Sequence, residues 1–174
     1  QPGPAAPEAL GVDVSARPAT ADDLPALVTL ATAAIEELTP NRGGAVWRRQ
    51  QARPLPPGDS LRADLDDPDA FVVVGTIDDT IIGYGVLRLE HLRDGSTLGV
   101  ISDLFTLEGA RGVSVGEEIM DALIAWATEQ GCFGVDSLAL PGDRHTKNFF
   151  ESFGLVARAI VVHRSLEPRP DAPS

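Results

Sequence analysis

Three apolar, β-branched runs follow one another between Phe71 and Thr106, separated by very short connections. Phe71 to Ile77 passes through Asp78-Asp79 into Ile81 to Leu89, and Asp94-Gly95 then leads to Thr97 through Thr106. Asp-Gly is a strong hairpin signal because both residues tolerate the left-handed backbone of a tight reversal. Strands joined this closely pair antiparallel, since a parallel pair needs a long crossover. The middle of the chain is therefore committed to a meander, and the apolar faces of that meander need covering.

The flanking sequence supplies the cover. Thr20 opens a helix with Asp23 placed for a capping box, and Leu24, Leu27, Val28, Ala31, Ile35 and Leu38 recur on one face before Pro40 stops it. Val12 to Arg17 precedes it as a short strand. Asn41 to Pro57 is rich in Gly, Arg and Pro, with a helical turn around Trp47, and Ser60 to Leu65 reads as a second helix. Beyond the meander, a loop at Leu107 to Gly112 enters a helix from Ser114 to Gln130. Val115, Ile119, Met120, Leu123, Ile124 and Ala127 face inward from it, and Gly131 ends it. Val135 to Leu140 then reads as a strand, Asp143 to Phe153 as a helix and Val156 to Arg164 as a last strand. The order predicts an α/β (α+β) fold: a mixed, mostly antiparallel central sheet with helices on both faces. The 174 residues suffice for one domain. Its expected span is 12–166, between Pro- and Ala-rich tails at 1–11 and 167–174.

Composition narrows the partners. No apolar run approaches the ~20 residues that cross a bilayer, so no membrane partner is expected. Gln1 to Pro7 lacks the basic start and apolar stretch of a secretory signal. The single Cys132 cannot make an internal disulfide, and both features point to a cytoplasmic setting. Fourteen Lys and Arg against 26 Asp and Glu give a net charge of −12. That argues against a nucleic-acid partner. It suits a cationic substrate, and equally a protein kept soluble by its charge.

The chemistry concentrates at Arg111-Gly112-Val113-Ser114-Val115-Gly116, between a strand and a long helix. Small residues let backbone approach a ligand, and unpaired N–H groups at a helix start favour negative charge. Such a turn is a phosphate or diphosphate site, or simply a strand-to-helix connection. The run Leu104 to Gly116 resembles the acetyl-CoA-binding segment of the GNAT (GCN5-related N-acetyltransferase) superfamily. The family's spacing there is Gln or Arg, two residues, Gly or Ala, one residue, Gly or Ala. Arg111 and Gly116 match its ends, while Ser114 replaces a Gly or Ala. Asn148-Phe149-Phe150-Glu151-Ser152-Phe153-Gly154-Leu155 resembles the family's late helix.

The resemblance implies an N-acetyltransferase that uses acetyl-CoA as cosubstrate, without metal, on an amine acceptor, in a family where homodimers are common. It implies that backbone at Phe105 and Thr106 holds the pantetheine arm and that Arg111 to Gly116 hold the diphosphate. Asn148, Phe149 and Phe150 would then lie along the cofactor. Phe150 stands where many members carry a tyrosine that protonates the leaving thiolate, and it has no proton to give. This leaves a CoA-binding domain without turnover as the alternative. Three groups compete as base for the amine: Asp103 near the end of its strand, Glu90 at the end of the preceding one, and His145 opening the late helix. Each has an alternative reading, as a backbone partner, a solvated strand end and an ordinary helical residue. Glu36, Glu37 and Trp47 fall where the family gathers its acceptor.

Overall fold

The computed structural model describes residues 11–110, 114–141 and 144–168. Its elements run β1 (Val14–Pro18), α1 (Leu24–Leu38), α2 (Gly44–Gln50), α3 (Gly58–Asp66), β2 (Ala70–Ile77), β3 (Thr80–His91), β4 (Thr97–Thr106), α4 (Val115–Glu129), β5 (Gly134–Ser137) and α5 (Arg144–Ser152). The strands form one sheet in the order β1-β2-β3-β4-β5. All neighbours are antiparallel except β4 and β5, which are parallel. The expected mixed, mostly antiparallel sheet is thus the architecture observed. Asp78 and Asp79 take positive φ of 46° and 65° at the β2–β3 reversal, the conformation that a two-residue hairpin demands. The carboxylate of Asp23 accepts the N–H of Thr20 at 2.8 Å, as the expected capping box requires.

Strand alternation sends side chains into two cores. Val73, Leu87 and Ile101 meet Val115, Ile119, Met120, Leu123 and Ala127 of α4 on one face. Val72, Val74, Tyr84 and Val86 meet Leu27, Leu30 and Ala31 of α1 and Leu61 of α3 on the other. Glycines let α4 lie against the sheet. A Cβ on Gly75 would stand 2.5 Å from Val115 Cγ1, and one on Gly85 would stand 2.7 Å from Ile119 Cγ2.

One irregularity positions the site. Val86 pairs with Asp103 but Leu87 pairs with Ile101, so Ser102 is an extra residue in β4. Such a bulge reverses the alternation beyond it and bends the strand. Ile101 therefore points into the α4 core while Asp103 points to the α1 side.

The end of the chain departs from expectation in two places. β5 covers Gly134–Ser137 rather than Val135 to Leu140, because β4 offers it partners only from Leu98 to Ile101 before turning away. Val156 to Arg164 does not form a strand of the sheet. Those residues have no ladder partner, and the apolar side chains among them stand in solvent. No helix among the described residues is long and apolar enough to cross a membrane.

Candidate active site

β4 continues along β3 to Gly83↔Thr106, whereas its pairing with β5 stops at Ile101↔Ser137. The sheet parts there, and a cleft of about 950 Å³ opens. Ser102 to Thr106 form one wall, Ser137 to Leu140 another, and Ser114, Gly116 and Glu117 bring in the start of α4. Phe149 and Phe150 reach it from α5, and Ile35, Glu37, Leu38, Asn41 and Trp47 close it from α1 and α2. A Cβ on Gly116 would meet the Phe149 ring at 3.5 Å and Thr106 Cγ2 at 3.9 Å, so anything larger than alanine would narrow the cleft.

Behind this opening lies a charged cluster that the sequence did not announce. Arg53, in the link between α2 and α3, is buried and reaches across to β4. Its Nε donates to Asp103 Oδ2 at 2.8 Å and its Nη2 donates to Oδ1 at 2.9 Å, the bidentate geometry suited to a guanidinium. Nη1 donates to Ser60 Oγ at 3.2 Å. Nη2 also lies 2.6 Å from Asp64 Oδ2, a charge contact rather than an aligned hydrogen bond. Asp64 pairs on its other oxygen with Arg88. The Tyr84 hydroxyl donates to Asp103 Oδ2 at 2.7 Å, and Ser102 Oγ donates to Oδ1 at 2.7 Å.

Electrostatics follow from this packing. Burial works to lower the Arg53 pKa, but the hydrogen bonds and charge of Asp103, with the charge of Asp64, overcome it and raise it. Arg53 stays cationic. Burial, reinforced by the Asp103 charge, pushes the Tyr84 phenol well above its usual range. Tyr84 therefore keeps its proton and serves as a donor to Asp103, making a weak acid for a leaving group.

The expected site residues divide accordingly. Asp103 lines the cleft, yet its two oxygens already accept four hydrogen bonds, which fills a carboxylate's lone-pair positions. It fits the role of a fixed anion better than that of a proton acceptor. Glu90 is not brought to the cleft: the antiparallel register sets it opposite Leu98, at the other end of β3, where it is exposed. His145 lines the cleft from the first turn of α5. Phe105, Thr106, Ser114, Gly116, Phe149 and Phe150 all line it too. Val115 sits in the α4 core with its side chain fully buried, so only its backbone is placed to meet a ligand there. Asn148 is exposed and outside the lining, because it falls on the solvent side of α5 next to Phe149. Glu37 and Trp47 line the cleft; Glu36, one helical position away, does not. Arg111, Gly112 and Val113 lie outside the described residues.

The model of the family described as acetyltransferase (GNAT) matches residues 33–155. No curated protein sequence matches significantly. Among solved structures, a variant of a Bacillus halodurans protein is 22% identical, with a TM-score of 0.73 over 87% of this chain and 99% of the other. An acetyltransferase of Trypanosoma brucei is 19% identical, with a TM-score of 0.62 over 88% and 100%. An aminoglycoside N-acetyltransferase, AAC(6')-Iy, in complex with CoA is 16% identical, with a TM-score of 0.68 over 93% and 99%. At such identities the structural likeness speaks for the fold.

Proposed function

The chain belongs to the acetyltransferase (GNAT) family, and on that premise we propose that it moves an acetyl group from acetyl-CoA to a primary amine by direct attack. The observation that carries this is the parting of β4 from β5, with the start of α4 facing the opening. A splayed strand edge offers backbone groups to an extended amide-containing arm, and a helix start offers N–H groups to phosphate. Phe105 and Thr106 supply the first, Ser114 to Gly116 the second, and Phe149 packs beside them. That one aminoglycoside acetyltransferase of this fold was solved with CoA supports the reading.

Bound acetyl-CoA supplies a thioester carbonyl as the electrophile. The chain's residues do the rest. Glu37, which lines the cleft along with Trp47, attracts the ammonium form of the acceptor. The ammonium gives up one proton to solvent before attack, and His145 takes the second as the C–N bond forms and the C–S bond breaks. Asp103, held by Arg53 and Tyr84, takes no proton from the amine and fixes the β4 wall of the cleft against the α2–α3 link. Phe150 is 6% exposed and contributes shape, so the thiolate leaves without a tyrosine acid, as a good leaving group can.

Phe150 and the fully engaged Asp103 also favour a second reading, a domain that binds CoA without turnover. One experiment separates the two. Thermal-shift titration with acetyl-CoA, CoA, ATP and NAD should show selective stabilisation by acetyl-CoA and CoA, about 2.7 kcal/mol at a ~100-fold excess over Kd. Release of free thiol on adding primary amines should then follow. Binding with no thiol release across an amine panel leaves the second reading; no shift with either CoA species removes both.

A further inference from the structure

Two walls of the cleft come from parts of the chain that no strand pairing connects. The wall assigned above to the amine includes Trp47 of α2 and continues through Gln51, Ala52 and Arg53 of the link that follows. The wall assigned to acetyl-CoA is β4 from Leu104 to Thr106. Within the sheet that part of β4 pairs with β3 alone, because β5 stops at Ile101. It also lies just past the bulge at Ser102, so neither its ladder nor its outer neighbour fixes it fully. Arg53 joins the two walls. Its guanidinium engages three side chains at once: Asp103 through Nε and Nη2, Ser60 of α3 through Nη1, and Asp64 of α3 beside Nη2. Ala52, its neighbour in the chain, donates its N–H to the Trp47 carbonyl at 2.9 Å. A displacement of Arg53 is therefore passed to Trp47 on one side and, through Asp103, to Leu104 on the other.

We propose that Arg53 is a positioning residue for both substrates, setting the wall that receives the amine against the strand that receives acetyl-CoA. It acts through Trp47 and Asp103 rather than on either substrate. The inference rests on the acetyl transfer proposed above and goes beyond it in giving one buried side chain control of both sites. The fork matters as much as the charge. Two parallel N–H···O bonds fix the plane of the Asp103 carboxylate, whereas a lysine ammonium is a single centre that can turn about one oxygen. Ser60 and Asp64 hold the guanidinium to α3, which is anchored in the core by Leu61. The brace therefore starts from a packed helix and not from the Pro-rich link alone. The Arg53 and Asp103 side chains are 8% and 10% exposed, so water is poorly placed to replace a bond lost between them.

Arg53→Lys in the full chain keeps the charge and removes the fork. With the primary amine that releases thiol fastest as acceptor, KM for that amine and KM for acetyl-CoA should both rise about fivefold, by more than kcat falls. Loss of folded protein alone would lower the apparent kcat and leave both KM values in place, and that result would overturn the proposal. So would a rise in one KM only, which would confine Arg53 to a single wall. Asp103→Asn breaks the same pair from the β4 side and should give the same pattern, which covers the case of a lysine variant that does not fold. A fall in its kcat at unchanged KM would instead make Asp103 part of the proton transfer and overturn the assignment. Hydrogen exchange without ligand separates the brace from the function it serves. Amides of 47–52 and of 103–106 should exchange faster in Arg53→Lys than in the unaltered chain. Unchanged exchange in both segments would remove the brace. Faster exchange in both, in a chain that releases no thiol with any amine, would keep the brace and remove the acetyl transfer.

Discussion

The two faces of the sheet are built by different rules. On the α4 face the contacts are apolar, and Gly75, Gly83 and Gly85 bring the helix against the strands. On the α1–α3 face an apolar cluster of similar make-up runs into a buried set of charges, Arg53, Asp64 and Asp103, at the rim of the cleft. The first arrangement draws its stability from area removed from water, about 25 cal/mol per Å². In the second, the cost of desolvating ions is offset only while every partner stays in place. The comparison teaches that the cleft-side core exchanges robustness for a fixed pattern of charge where an amine would bind.

Breaking the charged face should cost most. Arg53→Ala leaves Asp64 and Asp103 buried without their shared cation, with an expected loss of about 4 kcal/mol in urea unfolding. A double-mutant cycle with Asp103→Asn should be strongly non-additive, and an additive result would mean that the two residues do not act as a unit. On the apolar face, Leu123→Ala should cost about 3 kcal/mol through the cavity it leaves, while acetyl-CoA binding by the remaining folded protein changes little. Gly75→Ala pushes a methyl into Val115 and Ile119 and should cost about 2 kcal/mol. If it instead proved neutral, α4 would have more freedom to shift than its packing implies.

Smaller changes sharpen the contrast. Tyr84→Phe removes one hydrogen bond to Asp103 and should cost about 1 kcal/mol of stability. Its larger effect should be on acetyl transfer, read as a change in KM for the amine more than in kcat. Arg17 with Asp23 is the control for an ion pair outside the cleft. The Arg17 hydrogen bond, with the Thr20 N–H, holds the Asp23 carboxyl below its usual 3.8 against a partial desolvation. A lowered folded-state pKa means that its contribution is present above pH 3.8 and fades as pH falls through the lower value. Asp23→Asn should remove that part of the acid dependence, with an effect of about 1 kcal/mol or less at neutral pH.

How much of this was legible in the sequence varies by residue. The inward face of α4 and both hairpin turns follow from periodicity and turn chemistry, which act over a few residues. β4 was readable to its ends, Thr97 and Thr106, but the bulge at Ser102 was not. A bulge depends on the register of the strand alongside, and that register decides whether Asp103 faces the amine side or the α4 core. The place of Glu90 was legible without the bulge: the hairpin at Asp94-Gly95 sets the end of β3 beside the start of β4, far from Asp103. Arg53 gave no local sign beyond standing before Pro54 in a Pro-rich link, since a surface arginine and a buried one look alike until their partners are known. The last strand expected at Val156 to Arg164 does not form, because β-branched composition alone supplies no partner strand to pair with.

By itself, then, the sequence determined the meander, the helix that packs beneath it and the family to which the chain belongs, because these rest on spacings within one element or one loop. Only the tertiary structure decided that Asp103 is pinned rather than poised, that Arg53 lines the cleft, and that the apolar stretch at Val156 to Arg164 is left outside the sheet. Those outcomes join residues far apart in the chain, such as Arg53 and Asp103. Their free energies depend on burial and register, which exist only once the whole sheet has formed.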